Sequence, residues 1–251
     1  MFDRYPHSLR VLGIVDGPLP PLEATTALGV LGVRLEPYVE LPIAGPTPRL
    51  LLGSAADWRV RSGLTPPFSG FIESDPRIGF DIPAECVEAA VAGGFGISVR
   101  TRTVFDLDVA ARLTLAVAQR LPDDQDMHQA LELALYEVIG NAAIHGNLGI
   151  ESHMRGSAET LATYQAILDD RLDDPRFADK RVMVTVVPQD GAIEVTVSDQ
   201  GDGYDLNGLL ARPASLEAKS GRGLGFIRQL AQSMAGRDGG RTLVMTFACR
   251  E

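Results

Sequence analysis

At 251 residues the chain is long for one domain and sufficient for two, and its 45% of hydrophobic residues allows ordinary buried cores. Its net charge of −10, from 23 basic and 33 acidic residues, disfavours a nucleic-acid surface. No apolar run approaches the roughly 20 residues that span a bilayer, and the start of the chain lacks the apolar core of a signal peptide. We therefore expect a globular, cytoplasmic protein that binds neither nucleic acid nor membrane.

The charge is spread unevenly along the chain. Residues 1–104 carry 9 basic and 11 acidic groups, whereas residues 105–251 carry 14 and 22. This difference predicts two domains, 1–104 and 105–251. The two cysteines, Cys86 and Cys249, are far apart and form neither a metal-ligand spacing nor a disulfide framework.

In the first domain, strand patterns alternate with helix patterns. Residues 54–81 are broken by prolines and glycines and predict a loop with one strand around Phe71 and Ile72. The order of the elements predicts a small α/β domain. Apolar and alternating runs predict strands at 8–16, 33–38, 49–53 and 96–103, and helices at 22–31 and 84–93.

In order and length the first domain resembles a response-regulator receiver domain. A receiver needs an acidic pair after its first strand, a phospho-accepting aspartate after its third and a lysine after its fifth. Here Asp16 is followed by Gly17, the third strand ends in Gly53, and the fifth strand carries arginines but no lysine. The resemblance implies a degenerate receiver that cannot take phosphate by the usual route. The alternative is a generic α/β domain that docks partners or forms a homodimer.

The second domain begins with helix patterns and continues with strand patterns. A Pro-Gln-Asp-Gly sequence between two β-rich runs indicates a hairpin, and Asp173–Arg176 predicts a turn. Helices are predicted at 106–121, 131–147, 157–172 and 224–234, and strands at 181–187, 192–198 and 242–247.

Two polar side chains lie one turn apart on the helix at 131–147. Leu131, Leu135 and Val138 form its apolar stripe, and Glu137 and Asn141 form a second stripe at i, i+4 spacing. A carboxylate in this position can orient a water or a hydroxyl, and an amide oxygen can ligate Mg²⁺ that phosphates mainly hold. An isolated pair of this kind also fits the solvated face of an amphipathic helix.

Two glycine motifs follow. Asp199-x-Gly201-x-Gly203 at a strand end supplies a carboxylate that can accept the exocyclic amine of adenine, and glycines that let backbone approach a flat ligand. Gly221-x-Gly223-x-Gly225 leads into a helix, where free N–H groups can cradle phosphate. Alone, the first motif is more often an ordinary turn, and the second is a weak signal because it follows no strand of a βαβ unit.

Taken in this order, with a strand bearing Thr246 last, the motifs resemble the GHKL ATP-binding domain of histidine kinases and gyrases over residues 105–251. The resemblance implies an α/β sandwich of the GHKL (Bergerat) type that binds ATP and Mg²⁺. It implies that Glu137 is the general base, Asn141 the Mg²⁺ ligand and Asp199 the adenine contact. The further implied roles are the adenine pocket for Gly201 and Gly203, the phosphates for Gly221, Arg222, Gly223, Leu224 and Gly225, a hydrogen bond near the adenine for Thr246, and a mobile lid for Tyr204–Ser220.

Within that superfamily, the run Glu-Val-Ile-Gly-Asn-Ala-Ala-Ile-His-Gly-Asn-Leu and the short lid look most like the anti-sigma-factor serine/threonine kinases of bacterial partner-switching systems. This resemblance implies a protein partner, either a sigma factor or a small antagonist protein that is phosphorylated on serine. A histidine kinase fits less well, because His128 lies only nine residues before Glu137 and no H-E-x-x-x-P run exists. A non-catalytic ATP-sensing module is the alternative.

Overall fold

The structure is a computed structural model that describes residues 10–20, 31–38, 45–74, 80–121, 123–150, 158–204 and 222–249. The chain divides into two compact units, Met1–Ser98 with Thr185–Pro188 and Val99–Val184 with Gln189–Glu251. A domain boundary at residue 104 stays a prediction. The helix predicted at 22–31 lies, apart from its last residue, outside the described residues.

The first unit is built on a parallel sheet. Its strands follow the order β2-β1-β3-β4-β5, and each neighbouring pair is parallel. Every residue of β3 and β4 is buried, as expected for a parallel sheet that is covered on both faces. The bounds are β1 (Val11–Val15), β2 (Val33–Pro37), β3 (Arg49–Gly53), β4 (Gly70–Glu73) and β5 (Phe95–Arg100).

Two helices belong to this unit within its described part, α1 (Asp57–Leu64) and α2 (Ala84–Val91). The helix predicted at 84–93 is thus confirmed, whereas the loop predicted from residue 54 onward is wrong where α1 lies. The helix has only eight residues and buries Val60, Gly63 and Leu64, so its apolar pattern is too short to stand out.

The last strand of the first unit ends earlier than predicted. The sequence pattern extends the strand to Thr103, but β5 stops at Arg100 and α3 (Thr101–Asp106) begins at the next residue. The backbone N–H and the side-chain hydroxyl of Thr101 both donate to the Lys180 carbonyl, at 2.8 and 2.9 Å. This tertiary anchor overrides the strand preference of the β-branched threonines.

The second unit combines helices with a mainly antiparallel sheet of order β6-β7-β9-β8. In place of the turn predicted at 173–176, one helix ends at Asp173 and the next begins at Pro175. Within the described part of the chain, no helix is long and apolar enough to cross a bilayer. The bounds are α4 (Val109–Ala118), α5 (Gln125–Asn141), α6 (Ala158–Asp173), α7 (Pro175–Ala178), β6 (Arg181–Gln189), β7 (Ala192–Ser198), α8 (Arg222–Leu230), β8 (Ser233–Arg237) and β9 (Thr242–Ala248).

Helix α5 is the element around which this unit packs. Its predicted apolar stripe is confirmed, because Leu131, Leu135 and Val138 are all buried. The helix contacts α4, α8 and β9. Its N-cap is Asp124, whose side chain accepts a hydrogen bond from Met127 N at 3.1 Å, and this bond fixes where the helix begins.

Strand β8 was not expected from the sequence. The predicted helix extends to residue 234, but α8 ends at Leu230 and Ser233–Arg237 pairs antiparallel with β9. The Gln232 N–H donates to the Thr246 carbonyl at 2.8 Å, and the Ser233 hydroxyl donates to the Thr246 hydroxyl at 2.9 Å. Pairing with a strand that lies later in the chain therefore ends the helix.

Candidate functional site

Glu137 and Asn141 meet on the surface of α5, as their spacing predicts. The Asn141 side-chain Nδ2 donates a hydrogen bond to Glu137 Oε1 at 3.1 Å. This contact uses the amide nitrogen and leaves Asn141 Oδ1 as an acceptor. An amide oxygen of this kind is a ligand that Mg²⁺ accepts when phosphates supply most of its other ligands.

The end of α5 widens into a π-helical turn, Ala142–Asn147. Its amides bond to carbonyls five residues back, as in the 2.9 Å bond from Leu148 N to Ala143 O. Gly146 and Asn147 are both buried in this turn. Single π-turns inside helices are frequent at functional sites, because they redirect the side chains that follow.

Asp199 follows directly after β7. Its backbone N–H donates to the Arg241 carbonyl at 2.9 Å, and its Oδ1 accepts a hydrogen bond from Gly201 N at 2.8 Å. Among the described residues none donates to Oδ2. The carboxylate therefore has one fixed oxygen and one oxygen available to a ligand.

Burial raises the pKa of Asp199 from its ordinary value to about 6. The Gly201 N–H and the positive charges of Lys180 and Arg241 act in the opposite direction, but they do not cancel the loss of hydration. A strongly perturbed acid in a cleft is a typical mark of a binding or catalytic group.

Two glycines bring the π-turn and the Asp199 loop into backbone contact. A Cβ on Gly146 would collide with the Asp199 carboxylate, and a Cβ on Gly201 would collide with the Gly146 carbonyl. Gly203, at φ 76°, lies equally close to the Gly239 backbone. Gly201 and Gly203 were predicted to shape a pocket. In the structure, Gly201 permits the backbone contact with Gly146, and Gly203 permits the backbone contact with Gly239.

These elements enclose a cleft of about 320 Å³, which includes its part open to solvent. Apolar side chains line one part, and Asn141, Asp199 and Arg241 supply polar groups. Glu137 does not line the cleft, but it accepts a hydrogen bond from Asn141, which does. The lining residues are Val138, Asn141, Ala142, Val197, Asp199, Tyr204, Leu224, Gly240, Arg241 and Leu243.

The glycine motif before α8 is only partly described. Helix α8 begins at Arg222, so Gly223 and Gly225 lie in its first turn, where backbone N–H groups have no helical partner. Leu224 lines the cleft. Gly221 and most of the predicted lid at 204–220 lie outside the described residues.

The structure does not bring Thr246 to Asp199. In the β7–β9 ladder Thr246 lies opposite Glu194, and Thr242 lies opposite Ser198, the residue before Asp199. Four residues along a strand correspond to about 13 Å. Thr242 is buried, and its hydroxyl is 3.0 Å from the Ser198 hydroxyl. Of the two threonines of β9, Thr242 is therefore the one beside the end of β7 that carries Asp199.

Further residues of the site were not singled out in the sequence. The structure adds an Asn147 Oδ1 that accepts from the N–H of Gln200, next to Asp199, and the cleft-lining residues Val197, Gly240, Arg241 and Leu243. No local pattern in the sequence places Thr242 and Leu243 at the site, because the register of β9 against β7 decides which residues lie beside Asp199. No local pattern marks Arg241 either, which lies on the turn between β8 and β9.

In the first unit, the carboxyl edge of the parallel sheet carries an acid that is paired with an arginine. At the carboxyl ends of β1 and β3, Asp16 forms an ion pair with Arg59, and Arg59 also donates to the Ser54 hydroxyl at 2.8 Å. The guanidinium lies 4.7 Å from the ring centre of Trp58. Asp16 is thus neutralised by an arginine of α1.

The paired carboxylate and amide on α5, the carboxylate after β7 and the helix that begins near the cleft define an ATPase domain of the GHKL type. The family model for the histidine kinase-like ATPase domain matches residues 101–247, more than half of the chain. The chain belongs to this family. No curated protein matches it.

Replacement of Asp199 by Asn should change stability in a pH-dependent way. Because the pKa of Asp199 is raised to about 6 in the folded state, against about 3.9 in an unfolded chain, its contribution to the free energy of unfolding is greatest below pH ~4 and is lost as the pH rises through 6. We expect Asp199→Asn to gain stability relative to the parent between pH 4 and pH 7.

Urea unfolding of both proteins across this pH range measures the difference. Asp202→Asn, a change at an exposed acid three residues away, is the matched control. The difference between its free energy of unfolding and that of the parent should be the same at every pH. A difference for Asp199→Asn that does not vary with pH would contradict the pKa assignment.

Proposed function

We propose that the cleft binds Mg²⁺·ATP and that the protein is an ATP-dependent serine/threonine kinase that acts on a small protein partner, as an anti-sigma-factor-like switch. The observation that carries the proposal is that Asn141 and Asp199 line one cleft and that Asn141 donates a hydrogen bond to Glu137. The family assignment supports the nucleotide, and the resemblance of residues 137–148 to anti-sigma-factor kinases supports the type of partner.

Asp199 recognises the base in this proposal. Its Oδ2 accepts the exocyclic amine of adenine, and the apolar lining from Val138, Val197 and Leu243 covers the ring. Tyr204 and Arg241 lie at the same cleft and can stack on the ring or on its edges. Because few polar groups line the cleft, it suits a flat and largely apolar base.

The donor set fits a metal that is held mainly by substrate. Within the described part of the chain, no group of three or more His, Cys, Asp or Glu residues could hold a metal by itself. Asn141 Oδ1 would be the protein ligand, and phosphate oxygens would complete the shell. When bound, Mg²⁺ neutralises charge on the phosphates.

Glu137 is the general base of the proposed transfer. The partner's hydroxyl oxygen bonds to the γ-phosphorus, the bond from this phosphorus to the bridging oxygen breaks, and ADP leaves with the electron pair. The hydroxyl proton passes to Glu137. The hydrogen bond from Asn141 orients Oε1 and leaves Oε2 to receive the proton.

A non-catalytic ATP sensor is the second candidate. Glu137 does not itself line the cleft, and its closest partner is Asn141, so a purely structural role for the carboxylate is consistent with the same contact. In a sensor, nucleotide binding would change the affinity for the partner without phosphoryl transfer.

Base recognition predicts a change in nucleotide preference. We expect Asp199→Asn to weaken ADP binding by about 1.5–3 kcal/mol, because a hydrogen bond to a charged group is lost, and to leave pyrophosphate binding unchanged. The parent should also bind ADP more tightly than IDP, which lacks the exocyclic amine. Calorimetric titration of the full chain with Mg²⁺ measures both effects. Asp202→Asn should behave as the parent, and a parent with no heat or thermal shift at millimolar ADP would refute the nucleotide site.

The kinase and sensor alternatives differ in their response to Glu137→Gln. This variant keeps an oxygen for Asn141 but removes the base, so we expect ATP affinity within a few-fold of the parent and a loss of transfer of roughly 10²–10⁴-fold. Glu132→Gln on the same helix is the control.

The measurement is transfer from radiolabelled ATP to the protein that copurifies from the native host, beside a binding assay. Transfer that survives unchanged in Glu137→Gln would exclude the base role. Binding that depends on ATP, with no transfer by the parent, would favour the sensor.

For the first unit we propose a receiver-like domain that does not accept phosphate. The strand order β2-β1-β3-β4-β5 supports the likeness, since it is the order of flavodoxin-like doubly wound folds, to which receivers belong. Gly53 ends the strand that carries the phospho-acceptor in a receiver, and Asp16 is already paired with Arg59.

Incubation of the full chain with acetyl phosphate should therefore leave the first unit unmodified. Neither Gly53 nor the paired Asp16 offers an unpaired carboxylate at the sheet edge. Peptide mass spectrometry is the measurement, and a phosphoaspartate within residues 1–104 would contradict the prediction.

A further inference from the structure

Asn147 is a fully buried amide at the end of the π-turn, with an exposed fraction of 0%. Its Nδ2 donates to the Thr101 hydroxyl at 2.8 Å and to the Arg181 carbonyl at 2.9 Å. Its Oδ1 accepts a hydrogen bond from Gln200 N at 2.7 Å. Both donor hydrogens and the oxygen of this side chain are therefore engaged, and its orientation is fixed.

The three partners come from three separate parts of the second unit. Thr101 begins α3, Arg181 begins β6, and Gln200 is the residue directly after Asp199. A second bond joins two of these partners, because Gln200 Oε1 accepts from Arg181 N at 2.7 Å. The loop after β7 is thus held at both the backbone and the side chain of Gln200.

The bond to Gln200 N acts directly on Asp199. A peptide unit is planar, so the N–H of Gln200 and the Cα of Asp199 lie in one rigid plane. The N–H of Asp199 is itself bonded to the Arg241 carbonyl at 2.9 Å, so the peptide units on both sides of the Asp199 Cα are anchored. Together the two anchors fix the direction in which the Asp199 side chain leaves the backbone. The backbone contact of Gly146 with the Asp199 carboxylate limits the remaining freedom from the same turn.

We propose that Asn147 is a positioning residue that sets the Asp199 carboxylate for recognition of the adenine amine. It is not among the residues that line the cleft, and it acts through Gln200. The inference rests on the proposed function, because it assigns Asn147 to the selectivity of the same nucleotide site.

A purely structural role for Asn147 makes a different prediction. Loss of a buried hydrogen-bond hub lowers stability and weakens all ligands of the cleft in parallel. Loss of positioning instead weakens only the interaction that depends on Asp199. The ratio of the IDP and ADP dissociation constants separates the two, since these ligands share their phosphates and differ at the base.

The test measures ADP, IDP and pyrophosphate binding to the full chain with Mg²⁺, together with thermal unfolding. For Asn147→Ala we expect the IDP/ADP ratio to fall about tenfold toward one, the size of one lost hydrogen bond to a charged group, with pyrophosphate affinity unchanged. Thr101→Val is the matched control. It removes a partner of the same amide on the side away from Gln200, and it should lower the unfolding temperature and keep the ratio.

Asn147→Ser keeps a small polar group and is the second variant if Asn147→Ala does not fold. Its hydroxyl is too short to reach Gln200 N and Arg181 O together, so the ratio should fall here too. A parental ratio in the folded variant would overturn the inference and leave the nucleotide site standing. A parent that does not distinguish ADP from IDP would refute base recognition itself, and the inference with it.

Discussion

The contact between the end of the α5 helix and the loop after β7 is the constraint on which the site depends. One element carries Asn141, and the other carries Asp199, more than fifty residues later in the chain. A ligand that touches both requires a fixed distance between them. Gly146 and Gly201 provide it, because without side chains the two backbones touch and cannot slide apart by rotamer changes.

Much of the unit could be predicted from the sequence where the signal is local. The period of apolar residues in α5 placed Glu137 and Asn141 on one face, and the alternation in β7 placed Asp199 at the end of a strand. Three short motifs in one order then identified the family. These features depend on residues a few positions apart, so they can be predicted from the sequence without knowing which elements pack against them.

What could not be predicted depends on residues that are distant in sequence. Thr242 and Thr246 point to the same face of β9, since they are four residues apart, and only the pairing with β7 decides which one lies near Asp199. Strand β8 exists because β9 pairs with it. Asn147 had no visible role, since its partners at Thr101, Arg181 and Gln200 have no common pattern in the chain.

The buried carboxylate of Asp199 also links the protein's lifetime to its ligand. An ionised group with a raised pKa weakens the empty fold at neutral pH, and a ligand that satisfies this group restores what was lost. Empty molecules therefore open more often and are cut by proteases sooner than filled ones. A neutral residue in place of Asp199 would therefore trade ligand recognition for stability of the empty fold.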